Sequence, residues 1–310
     1  MDDTLPLQPP IRLPAESELA RAVRAAPLAA ELLSPAEVEA GDDARVLARW
    51  AEVCRERLAA DQPVLMELIR MFLSREPLTG EVPALPSGLG LIRQEEPYAL
   101  SWLGLWAVRA IIADSTGQDI PVMGSLAGAD AAALLFGLRS YPEAEREEEL
   151  AGWLSGRDRE AAAGEIAAAL ATVSPLSRAV GVELLSSRFG EEGRRALGGL
   201  LEEPRLGAVV AARLGRDDRR PAPEEIPWVL VDMAAALLEF GGEAGEVIES
   251  IALGMDPAEQ AGTIAILAFG DHPWTGRVLK VLIDHHPDLR VVAAARKALR
   301  RLHGLADVRG

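Results

Sequence analysis

Apolar positions along this chain recur at intervals of three and four residues, the spacing of one helix face. The pattern predicts helices over residues 15–33, 43–60, 64–75 and 98–113, and it is clearest in the segment HPDLRVVAAARKALRRLHG, residues 286–304. On a wheel of about 100° per residue, Val291, Val292, Ala295, Ala298, Leu299 and Leu302 share an arc of roughly 120°. Arg290, Arg296, Lys297, Arg300, Arg301 and His303 occupy the other side, so one stripe docks and the other meets water. Asp288 near the start and Gly304 past the last cations suit the helix dipole and a helix end. Alternation of period two never persists beyond a few residues, which predicts no substantial sheet.

Four of the five phenylalanines precede a glycine at the end of an aliphatic run: Phe136-Gly137, Phe189-Gly190, Phe240-Gly241 and Phe269-Gly270. Glycine supplies a left-handed residue after a helix, and the expectation is that each phenylalanine packs under the turn. Intervals of 53, 51 and 29 residues separate these glycines, the last fitting one helix pair and the others a pair with an extra helix. The segment FGEEGRRALGGLLEEPRLGAVVAAR, 189–213, also aligns with FGDHPWTGRVLKVLIDHHPDLRVVAAAR, 269–296. Both copies read as a helix end, an aliphatic helix, and a further helix that Pro204 or Pro287 opens. Such self-similarity signals repeated helical units.

The stretches HPDLRVVAAARKALRRLHG and DPAEQAGTIAILAFG resemble the first helices of HEAT-type repeats, in which Asp-Pro leads to Arg-Val and an Ala-rich run. The resemblance covers roughly residues 151–304. It implies an all-α fold, a right-handed α-α superhelix (a HEAT-like solenoid) of antiparallel helix pairs, of the kind used to bind other macromolecules. The expected organisation is a proline-rich tail over 1–15, a helical N-terminal region over 16–97, and a HEAT-like region over 98–310. Residues 77–97 hold four prolines and three glycines, and read as a long ordered loop or a boundary. A second break, GRDDRRPAPEEIP over 215–227, separates two units of the repeat region.

Aromatic residues make up only 4% of the chain against 49% hydrophobic, so the core must rest on Ala, Leu, Val and Ile, which suit closely packed helices. All but Lys280 and Lys297 of the 32 basic residues are Arg, a skew that matches a high-GC bacterial genome. The net charge of −16 repels polyanions. Residues 287–310 run against it, with five Arg and Lys297 facing Asp288 and Asp307. Their basic face is what a terminal helix with no neighbour needs. Cys54 is alone, which excludes an internal disulfide and multi-cysteine metal sites. The start, MDDTLPLQPPIRLP, lacks a signal peptide's basic and apolar regions, and no apolar run reaches membrane-spanning length; the expectation is a cytoplasmic protein.

Asp271, His272, Asp284, His285 and His286 are the residues a metal would choose, yet a helix of about 18 Å separates the first two from the rest. Among HEAT-repeat enzymes, the deoxyhypusine hydroxylases bind iron through His-Glu dipeptides, and this chain has none. The alkylpurine DNA glycosylases use a basic groove, which the acidic balance opposes. Asp114 and Asp119 bracket a glycine turn and read as helix termination. The Glu-rich run 143–153 reads as a helix start with a solvated face. Trp102 and Trp106 read as core, Trp228 and Trp274 as packing staples after a proline, and Cys54 as inert. No catalytic, cofactor-binding or metal-ligating residue is assigned, and no cofactor is expected.

The expected function is that of a non-enzymatic scaffold that binds another protein on the solenoid's concave surface, with no membrane and no nucleic acid as partner. One alternative is an enzyme or small-ligand-binding protein with a pocket between the N-terminal helices and the solenoid, near Trp102, Trp106 and residues 77–97. A second is nucleic-acid binding through the basic C-terminal helix.

Overall fold

The structure, a computed structural model, describes residues 10–34, 42–78, 80–117, 120–216, 219–252 and 254–309. It is all-helical: the described residues contain no strand, only two isolated bridges, Ile11 with Val122 and Ile92 with Leu100. No helix among them is long and apolar enough to cross a membrane. The chain divides into two compact units, Pro10–Met123 and a second that opens at Gly124.

The N-terminal unit holds α1 (Glu16–Ala25), α2 (Ala29–Leu32), α3 (Asp43–Ala59), α4 (Gln62–Ser74), α5 (Ala84–Gly88) and α6 (Trp102–Thr116). Short polar side chains start the longer helices: Asp42 accepts from the Arg45 N–H, Asp61 from Val64 and Ser101 from Gly104. Each satisfies a backbone donor that the first turn leaves open. Val23, Trp50, Leu58, Phe72 and Leu103 fill the core. The Pro/Gly-rich stretch is an ordered loop folded into this core, with Leu89, Leu91 and Ile92 buried. Its backbone is pinned by Leu78 N–H to Tyr98 O, Arg93 N–H to Ala99 O and Ser101 N–H to Leu91 O. At Gly104 a side chain is impossible without movement, because a Cβ there would stand 2.0 Å from Leu91 O. Helix α6, grouped by sequence with residues 98–310, packs on α1, α3 and α4.

The second unit runs through α7 (Ala131–Leu138), α8 (Glu143–Leu154), α9 (Arg159–Ala169), α10 (Pro175–Ser187), α11 (Gly190–Leu200) and α12 (Leu206–Arg213). It continues through α13 (Ile226–Phe240), α14 (Ala244–Ala252), α15 (Pro257–Ile266), a 3-10 turn (Leu267–Phe269), α16 (Thr275–His285) and α17 (Leu289–Arg309). Helix α10 packs on α7, α9, α11 and α13; α13 packs in turn on α10, α12, α14 and α16, and α17 lies on α15 and α16. The two matching segments share an element order, α11 then α12 in one and α16 then α17 in the other. Pro204 and Pro287 lie just outside the helices they precede.

The basic helix takes the expected facing. Val291, Val292, Ala295 and Ala298 are buried, Leu299 and Leu302 are half-buried, and Arg296, Lys297, Arg300 and Arg301 are exposed. The phenylalanine–glycine pairs depart from expectation. Only Gly190 and Gly241 adopt positive φ, while Gly137 lies inside α7 and Gly270 is right-handed. Only Phe189 is buried; Phe136, Phe240 and Phe269 are exposed. The Phe136 and Phe269 rings are exposed even though a guanidinium lies over each, from Arg139 and from Arg301 of α17.

Candidate functional site

Helix α13 reads IPWVLVDMAAALLEF and is buried over most of its surface, which makes its two carboxylates the odd residues. A buried carboxylate is costly unless it is paired and hydrogen-bonded. Asp232, fully buried, is met by Arg178 Nη1 from α10 and by Arg213 Nη2 from α12 at 3.1 Å. His272 Nε2 approaches Asp232 Oδ1 at 3.5 Å. The Trp274 N–H donates to His272 Nδ1 at 3.1 Å, which directs the ring's other nitrogen to the carboxylate. Arg178 also donates to Leu170 O at 2.8 Å and Val173 O at 2.9 Å, tying down the cap of α9 and the turn that follows it. Burial pushes its guanidinium pKa down, and Asp232 pulls it back. The Trp228 ring lies under Arg178 at 5.1 Å and meets His272 edge-on at 4.6 Å.

A second pair repeats this design two turns along α13. Glu239 Oε1 accepts from Arg139 Nη1 at 3.1 Å, and Oε2 accepts from the Leu176 N–H at 2.7 Å, in the first turn of α10. Arg139 reaches Ser174 Oγ and its own helix's Phe136 O as well, and its guanidinium stacks 3.9 Å from the Phe136 ring. Together the pairs clamp α7, α10, α12, α13 and the turn before α16. A proton-transfer or nucleophilic role would need an open space beside them. Their burial and pairing make them a structural latch, in which only the Arg213 Nε is buried without a partner among the described latch residues.

Two further carboxylates order loops. Glu225, before α13, accepts both Arg219 Nη groups at 2.9 and 3.0 Å and the N–H groups of Ala222 and Arg205. The Arg219 bond, with these amides, lowers its pKa to about 2. Glu149 in α8 is buried and accepts from Gly124 N–H at 2.6 Å and Leu126 N–H at 2.8 Å, so the Glu-rich helix has a structural inner face as well as a solvated one.

The residues singled out from sequence are dispersed. His272 belongs to the latch, His286 bonds Gln260 at 3.0 Å and accepts from the Asp288 N–H, and His285 is exposed at the end of α16. Among the described residues no three His, Cys, Asp or Glu converge in a way that could hold a metal. Asp114 pairs with Arg55, and Asp119 lies outside the described residues. Trp106 packs partly against the core, but Trp102 is half exposed with Arg93 over its ring, because it opens α6 at the surface. Trp228 and Trp274 each carry an arginine on one face. Cys54 is buried, which pushes its thiol up to about 12.

Sequence reading missed Asp232, Glu239, Arg178 and Arg139. The available signal was a carboxylate inside an otherwise apolar helix. Comparison of the chain with known protein families, with curated proteins and with solved structures gives no match.

Proposed function

We propose that this chain is a non-enzymatic interaction scaffold, a HEAT-like stack of antiparallel helix pairs that binds a protein partner in the cytoplasm. The stacking is supported by packing in which α10 meets α13 and α13 meets α16, each from the next group along the chain. The reading rests above all on the exposed aromatic residues at helix ends in the second unit. Phe136 and Phe269 stand out from the surface with a guanidinium stacked on each, Arg139 at 3.9 Å and Arg301 at 4.6 Å. Aromatic and arginine side chains are the types that anchor protein interfaces, since they bury much area at little entropic cost.

The test is affinity capture from the native organism with the wild-type chain and with Phe136→Ser/Phe269→Ser as baits. A specific protein held by the first and lost by the second, at equal stability, is the expected result. Identical captures with both baits would refute the reading.

A further inference from the structure

A surface groove of about 260 Å³ runs between α8 and α10 in the second unit. Its floor is apolar, made by the buried side chains of Leu150 and Leu184. Its rim carries Glu143 and Glu147, one turn apart on α8, and Glu183 facing them from α10. All three carboxylates are exposed.

Two arginines share this rim. Arg146 is held by Tyr141 O at 3.2 Å, and its approach to Glu183 at 3.7 Å is too long for a hydrogen bond. Arg188 follows the end of α10, and its guanidinium reaches both Glu143 and Glu147. The Arg188 backbone is fixed independently, through its carbonyl and Arg159 at 2.6 Å, so the side chain can leave while the chain stays in place. Exposed ion pairs of this kind are weak, and an incoming cation displaces them at little cost.

We propose that this groove receives an arginine side chain from a basic segment of a partner protein, in exchange for Arg188. The proposal rests on the scaffold reading and names the chemistry of the partner. An arginine would lay its methylenes on Leu150 and Leu184 and spread its planar fork across the carboxylates, two of which Arg188 meets from within through Nη2 alone. The charge of −16 on the chain favours the approach of a basic segment and opposes an acidic one.

The experiment titrates a fluorescein-labelled octapeptide of alternating arginine and glycine, with a glutamate–glycine counterpart, and follows anisotropy at low and near-physiological salt. The wild-type chain should bind the arginine peptide, more weakly as salt rises, and should ignore the glutamate peptide. Glu143→Gln/Glu147→Gln/Glu183→Gln should lose about tenfold or more in affinity. A charge-matched control on α1 and α3, Glu16→Gln/Glu18→Gln/Glu56→Gln, should change it by less than about twofold. Arg188→Ala removes the internal competitor and should tighten binding by about threefold. That variant decides the matter even where the triple change harms folding.

Absence of binding by the wild-type chain, equal loss in the two triple variants, or weaker binding by Arg188→Ala would each overturn the proposal. The titration needs no cellular partner. The two failures are therefore read separately: identical captures remove the scaffold reading on which the proposal rests, and a failed titration removes the arginine groove alone.

Discussion

Replacing Asp232 by Ala would remove one carboxylate and strand two guanidiniums. Asp232 is fully buried, the side chains of Arg178 and His272 are almost fully buried, and only Arg213 has some access to water. Breaking a buried pair by deleting one partner costs about 3–5 kcal/mol, and the upper part of that range applies to Arg178, which stays anchored to Leu170 O and Val173 O. The partial exposure of Arg213 lowers its share. Asp232→Ala should therefore destabilise by about 3–5 kcal/mol, and Asp232→Asn, which keeps the shape and one acceptor, by about 2 kcal/mol. Urea unfolding followed by circular dichroism measures both. A double-mutant cycle isolates the pair: Arg178→Met should cost about 3 kcal/mol in the wild-type chain and much less in an Asp232→Leu background. Equal costs in the two backgrounds, or less than about 1 kcal/mol for Asp232→Ala, would refute the account of the latch.

Two other carboxylates make separate predictions. The folded-state pKa of Glu225 lies at about 2, below its ordinary value, so its contribution is present above the usual carboxylate range and is lost as pH falls toward 2. After allowance for screening, about 1–2 kcal/mol more stability should be lost between pH 5 and 2 by the wild-type chain than by Glu225→Gln, measured by thermal melts across that range. Glu149→Ala leaves the Gly124 and Leu126 N–H groups without their acceptor and should cost about 2–4 kcal/mol, with faster hydrogen exchange at those two amides.

Much of the helical layout is legible in the sequence because its signals are local. Asp42, Asp61, Ser101 and Asp256 stand where caps belong, and Asp256 with Glu259 completes a capping box. The arc of α17 follows from residue spacing alone. The latch was not legible, since Arg178 and Arg139 lie 54 and 100 residues from Asp232 and Glu239, in segments whose own patterns gave no reason to pair them. The phenylalanine–glycine pairs failed for a different reason. A ring at a helix end can turn inward or outward, and the neighbour that decides is not part of the local pattern. The buried role of Glu149 was hidden by its Glu-rich surroundings, where four other carboxylates read as a wet face.

The separation between Arg139 and Glu239 also sets an order of events during synthesis. Arg139 and Arg178 leave the ribosome well before either carboxylate that neutralises them. Until α13 emerges, those guanidiniums have carbonyl and hydroxyl partners but no carboxylate to neutralise them, which penalises their full burial between α7 and α10. A chain emerging from its N-terminus thus carries open cationic positions for the time needed to add some fifty to a hundred residues, several seconds at ordinary elongation rates. Neighbouring helices can begin to pair locally before then, but the arrival of α13 is what commits the second unit to its final packing.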